Sequence, residues 1–345
     1  MALFQNISID QLFKTWAADG GPTEDEKNQY ADAASKLLED DEMVAQFTAN
    51  VEKVGTWANE VDAAFDKVDR TFTDMVNKYG GSFPGLSNFK NDWNGYTNRW
   101  VDHLSLSRDV ASEHVAILKR FDQVYLDMVE IIVTEQDRKD VILELQVFID
   151  EKHDKSQEMS QAFQDLKRDI ETFIPNFNEF IADTGAELAA EAKKLQAEID
   201  SLWSQIRVLD QQILGVIVAG SVLAAYQAEH DDKMSQLWGK EKELATVNEK
   251  QQALAYLQSQ SDGVKPEIDL ICEKLILFAE IWSSVRSQAV QFRNFLQAST
   301  NSPTNLGFKK QVRLARKVCI PLEAGLEKYA TQLENRQKEK AAAQN

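Results

Sequence analysis

Apolar residues recur in steps of three and four along almost the whole chain, which is the period of helices that bury one face. Ser8 with Gln11 makes a capping box for a short first helix that Gly20-Gly21-Pro22 ends. Thr23 with Glu26 makes a second, opening a helix expected to run to about Lys78 with Val51, Val54, Val61, Phe65, Val68, Phe72 and Met75 on its apolar face. Gly55 is expected to soften it midway. Tyr79-Gly80-Gly81-Ser82-Phe83-Pro84-Gly85 is the clearest loop. From 104 to 174 neither proline nor glycine interrupts the chain, and Val141, Leu145, Phe148, Met159, Ala162, Leu166, Ile170 and Phe173 keep the period. One continuous rod of about 107 Å is expected there, bent or broken at Pro175.

Beyond Pro175, Leu188, Leu195, Ile199, Leu202, Ile206, Leu209 and Ile213 hold a heptad, and Leu237, Leu244, Val247, Leu254 and Leu257 take it up again further on. These are two arms of nearly equal length, so an antiparallel hairpin is expected, closed by a loop at Asp262-Gly263-Val264-Lys265-Pro266. The next helix has the most regular seam: Ile268, Ile271, Leu275, Phe278, Trp282, Val285, Ala289, Phe292 and Leu296. Asn301-Ser302-Pro303 stops it. A final basic helix follows, with a kink expected at Pro321 and fraying from Lys338.

Between the arms lies the longest apolar run in the chain, residues 213–226, which includes Ile213, Leu214, Val216, Ile217, Val218, Ala219, Gly220, Val222, Leu223 and Tyr226 and contains no charge. Ala219-Gly220-Ser221 offers a turn at its centre. Fourteen helical residues rise about 21 Å against a hydrocarbon core of about 30 Å, too short for a single span. Extended back to Ile206, the stretch takes in Arg207, Asp210, Gln211 and Gln212, which one helix alone cannot hide from lipid. An oligomer can turn those four toward a water-filled lumen, which makes them candidate pore-lining residues. Whether the run is a β-hairpin or a helical one is open at this point.

Composition narrows the function. The net charge of −18 argues against nucleic acid as a partner and against simple adhesion to anionic lipid. Fourteen glycines and six prolines in 345 residues leave few turns, so a few very long helices are expected. Cys272 and Cys319 are too few for a disulfide framework. Met1-Ala2-Leu3-Phe4-Gln5-Asn6 lacks a basic n-region and a sustained apolar h-region, so no signal peptide is visible.

No catalytic motif emerges. There is no phosphate loop, no G-x-S-x-G, no H-E-x-x-H and no paired C-x-x-C. His103, His114, His153 and His230 lie on separate segments, and no Glu stands three residues before any of them, so no enzyme, metal site or cofactor is expected. Phe89, Trp93, Tyr96 and Trp100 read as helix packing rather than as a sugar or membrane-interface platform. Glu229-His230-Asp231-Asp232, just past the apolar run, is a candidate pH switch; its plain alternative is a solvated acidic turn.

The rod, the two arms (188–213 and 237–257) and the run 213–226 together resemble the cytolysin A-type α-helical pore-forming toxins, nearest to the haemolysin BL and non-haemolytic enterotoxin components. The resemblance implies an all-α, elongated bundle of very long antiparallel helices with a small head carrying an apolar hairpin. The tail bundle would be 1–178 and 263–345, and the head 179–262. It further implies a soluble, secreted or released protein that hides its tongue, inserts 213–226 into a target lipid membrane and assembles as a homo-oligomer or with sister toxin components. The competing reading is a non-catalytic coiled-coil scaffold in which the run is ordinary core.

Overall fold

The computed structural model describes residues 42–125, 128–129, 131–150, 155–217, 223–300 and 305–343. The two helices expected to start at Ser8 and Thr23 fall wholly or partly outside these residues. Among the described residues the chain is helical with no strand. In chain order come α1 (Glu42–Tyr79), α2 (Leu86–Arg120), a π-helical turn (Phe121–Tyr125), α3 (Glu135–Asp150), α4 (Ser156–Glu171), α5 (Phe173–Ile217), α6 (Leu223–Thr300) and α7 (Asn305–Ala343). The all-α class read from the sequence is therefore the observed one. The helices form two compact units, Met1–Asp62 with Thr97–Lys167 and Cys272–Asn345, and Ala63–Tyr96 with Arg168–Ile271.

In the first unit Phe278 is the hub. Its ring meets Trp57, Trp100, Phe163 and Tyr329 with centroids 5.2–6.5 Å apart. The Trp282 indole donates to the Tyr329 hydroxyl at 3.3 Å, and Ser107 Oγ lies 2.8 Å from the same oxygen. These partners satisfy a phenol that is wholly buried. Arg336 pairs with Asp62, which also accepts from Trp100 Nε1 at 2.8 Å, so the buried charge is not left alone. Gly55 does not soften α1. It is buried against α7, where an added Cβ would meet Gln332 Oε1 at 2.9 Å, so the glycine serves close packing.

In the second unit Phe72, Phe89, Phe173 and Phe177 pack edge to face with centroids 5.0–6.0 Å apart. Trp93 lies tilted against Phe65 at 5.1 Å and donates to the Phe65 carbonyl at 3.2 Å. Trp93 and Trp100 are fully buried and Phe89 and Tyr96 half-buried, so the aromatic patch packs against its neighbours, as expected. The loop after Tyr79 sits where expected: Gly80 N–H donates to the Val76 carbonyl at 2.8 Å and closes α1.

Two further expectations fail. The rod across 104–174 is not continuous: α2 ends at Arg120, and helix restarts at Glu135 and again at Ser156. The restart at Glu135 has a local cause. Asp137 Oδ2 accepts from the amides of Thr134 (2.8 Å) and Val133 (3.1 Å), while Thr134 Oγ1 accepts from the Asp137 amide (3.1 Å). This reciprocal box satisfies amides that a helix start leaves free. The backbone bonds hold the Asp137 carboxyl below its ordinary range. Thr134→Ala is expected to lower hydrogen-exchange protection in the first turn of α3 about fivefold, the usual size of a lost cap. Unchanged protection would mean the box is not what starts the helix. Pro175 falls in the first turn of α5, where its missing N–H costs little.

The second failure is the loop at 262–266, which does not exist; α6 runs through it with Pro266 inside. Leu257, Val264, Ile268 and Ile271 are all buried, so the apolar stripe continues on one face across the proline. Pro266 and the Asp262 carbonyl it frees lie on exposed residues, within reach of water. Burial of the stripe outweighs the local breaker.

Candidate functional site

The two arms lie wholly in the second unit. Leu188, Leu195, Ile199, Leu202, Ile206 and Leu209 on α5 are buried, as are Leu237, Val247, Leu254 and Leu257 on α6. Ile199, Leu202, Ile206 and Leu237 close into one cluster, with Met234 and Leu244 packed against it. The expected seam is thus the observed one. Tyr79 reaches Tyr256, and a Cβ on Gly85 would meet Phe180, so the α1–α2 turn abuts the pair at that level. From there α5 and α6 continue for roughly 35 residues each, about 50 Å.

Two cross-arm polar contacts set the register. Lys240 Nζ lies 3.1 Å from Glu198 Oε2, and His230 Nε2 lies 3.2 Å from Asp210 Oδ1. Positions whose numbers sum to about 440 therefore face each other, and the symmetry point is residue 220, inside the apolar run. His230 Nδ1 is also 3.5 Å from Asp231 Oδ1. The sequence reading grouped His230 with its neighbours and missed Asp210. The signal was present, because the two residues are equidistant from Gly220.

Of the residues singled out in the sequence, Arg207, Asp210, Gln211 and Gln212 are exposed, as are Glu229, Asp231 and Asp232, while His230 is partly covered. Helical backbone enters the run from both sides, through Ile213, Leu214, Val216 and Ile217 on α5 and through Leu223 and Tyr226 on α6. A β-hairpin is therefore excluded for those residues. Val218, Ala219, Gly220 and Val222 lie outside the described residues.

Between Asp210 and Glu229 there are 18 residues without a charge. Charges crowd both borders. On α6, Glu229, His230, Asp231, Asp232 and Lys233 are consecutive, and at 100° per residue they encircle the helix. Two exposed indoles, Trp203 and Trp238, stand further back on the arms and were not picked out by the sequence reading.

Comparison with solved structures gives distant likenesses. XaxA from Xenorhabdus nematophila aligns at 11% identity over 86% of this chain and 97% of its own, with a TM-score of 0.45. The SmhB pore of the tripartite α-pore-forming toxin Smh from Serratia marcescens aligns at 10% identity over 76% of this chain and 98% of its own, TM-score 0.44. Soluble AhlC of the tripartite toxin AHL from Aeromonas hydrophila aligns at 11% identity over 76% and 97%, TM-score 0.40. Two of these three are components of tripartite α-pore-forming toxins. No family model matches the sequence, nor does any curated protein. Likenesses this remote leave the chain's function to be read from its own residues.

Elsewhere the described residues offer little chemistry. No group of histidines, cysteines and carboxylates among them could hold a metal ion. His153 lies outside the described residues. His103 lines an open groove with Arg99, Glu158 and Asp165. Burial, then the charge of Arg99, holds its imidazole below the ordinary value. Cys272 and Cys319 are free and buried, and burial pushes the Cys319 thiol up to about 12, so it is a poor nucleophile at neutral pH. No described helix is long and apolar enough to cross a membrane.

Proposed function

We propose that the chain is a membrane-active component of the pore-forming toxin type, whose arms deliver the apolar tip 213–226 into a target lipid membrane. The observation that supports the reading is the charged collar: Asp210 opposite His230, immediately behind an uncharged tip. A scaffold needs no such border, whereas a hairpin that enters lipid needs a place to stop. The uncharged stretch 211–228, folded at its midpoint, gives arms of nine residues, a helical rise of at most about 14 Å against a hydrocarbon core of about 30 Å. Encircling charges at 229–233 oppose deeper entry, since each costs about 3 kcal/mol near mid-bilayer. A single copy thus anchors in one leaflet. Passage across the bilayer needs several copies or sister components, with Arg207, Asp210, Gln211 and Gln212 kept in water.

The deciding experiment is dye release and flotation with phosphatidylcholine vesicles, using an environment-sensitive probe at position 218. A blue-shifted probe on floated protein supports insertion. A probe that stays in water, on protein that does not float, returns the chain to the scaffold reading.

The collar also supports a proposal about pH. Asp210 from α5 and Asp231 from α6 contact His230; Glu229, Asp232 and Lys233 adjoin it in sequence, and Arg207 stands three residues before Asp210. His230 lies between carboxylates from both arms, so release is expected to depend on pH, and His230→Ala to flatten that profile. A wild-type profile already flat would exclude the switch.

A further inference from the structure

Each arm carries one exposed tryptophan, Trp203 at 39% and Trp238 at 64% exposure. Trp203 follows the seam residue Leu202 and Trp238 follows Leu237, so each stands about 100° around its helix from a seam position. On antiparallel helices the same rotation leads to the same side, and the two indoles share one face of the hairpin. With Glu198 facing Lys240 and Asp210 facing His230, Trp203 lies opposite position 236, two residues and about 3 Å from the level of Trp238. The other flank carries Gln205, Gln236 and Gly239 at these heights. The seam closes without the indoles, so packing of the arms does not account for them.

Charges on the indole face follow an order along the hairpin. One helical turn from Trp203 toward the tip is Arg207, exposed and in no ion pair with a described residue. At the collar, by contrast, Asp210 and Asp231 already contact His230. Three residues behind the indoles, away from the tip, stand the exposed carboxylates Asp200 on α5 and Glu241 on α6. Going outward from the tip, the face presents a cation, two indoles and two carboxylates. A phosphocholine headgroup, going outward from the hydrocarbon, presents an anionic phosphate and then a quaternary ammonium. The two orders are complementary, and indole faces attract quaternary ammonium groups.

We propose that this face binds the phosphocholine headgroups of the target membrane, with Arg207 at the phosphate and Trp203 and Trp238 against the ammonium, backed by Asp200 and Glu241. The proposal rests on the reading of 213–226 as an inserting tip. With the Asp210–His230 level at the hydrocarbon boundary, the indoles lie seven and eight residues further out, about 11 Å. The headgroup layer is only about 5–7 Å thick on each side. A hairpin that leans toward the indole face, within the roughly 40° reached by membrane helices, lowers these long side chains into that layer. One-sided placement fits such a lean, whereas an upright hairpin calls for aromatic residues all round. Arg207 then meets phosphate in the wet headgroup layer, and Asp210, Gln211 and Gln212 keep the water-facing role.

The test is flotation of the full-length chain with two kinds of vesicle that share acyl chains and net charge. One is phosphatidylcholine; the other carries a headgroup of reversed dipole, with the ammonium inward and an alkyl-capped phosphate outward. Wild type is expected to partition at least fivefold more strongly onto phosphatidylcholine. Trp203→Ala combined with Trp238→Ala is expected to lower that partition at least tenfold and to erase the preference. The melting temperature is expected to stay unchanged, because both side chains are exposed. Should it fall, Arg207→Gln carries the test and is expected to erase the preference alone. Wild type that floats equally with both vesicles overturns headgroup recognition while leaving tip insertion intact. A preference that survives loss of both indoles overturns their role and returns them to a protein-binding face. Protein that floats with neither vesicle removes the membrane reading itself.

Discussion

Val218→Asp is expected to abolish dye release from vesicles while leaving the melting temperature of the protein in solution unchanged. An ionised carboxylate carried into hydrocarbon costs about 3 kcal/mol. That is roughly a hundredfold in the insertion equilibrium of each chain, and the effect compounds when several chains must insert together. Leu202→Asp is the matched control. Leu202 is buried in the arm cluster, so the same change there should unfold the arm and lower the melting temperature. If Val218→Asp destabilises the protein as Leu202→Asp does, the tip is ordinary core.

The largest loss of stability is expected from Phe278→Ala. The ring is fully buried and meets Trp57, Trp100, Phe163 and Tyr329. Tyr329 in particular is held by Trp282 and Ser107. A loss of about 3–5 kcal/mol is expected, read as a shift of the denaturation midpoint of the first unit. A loss under about 1 kcal/mol would mean that the cluster repacks and Phe278 is not its hub.

Much of the fold was legible along the chain. The buried faces of α1 and of α6 from Ile268 onward were identified by period alone, because a helix that must bury one face leaves its period in the sequence. The loop after Tyr79 was legible because two glycines and a proline fall together. What failed was the strength of local breakers. Thr134 and Asp137 start a helix in a stretch that carries no glycine or proline, although the box is a readable signal. Gly263 and Pro266 fail to end one because Val264 and Ile268 stay on a continuous buried stripe.

The candidate site divides in the same way. The apolar tip, its central glycine and the charges on either side are sequence facts, since hydrophobicity and charge belong to the residues themselves. Pairing across the arms belongs to the fold. Only the packed register brings Asp210 to His230, levels Trp203 with Trp238, and shows that these indoles lie outside the seam. Period tells which face of a helix is buried, but it is blind to what stands opposite. That depends on how two helices slide against each other, which side-chain packing at Leu202 and Leu237 decides.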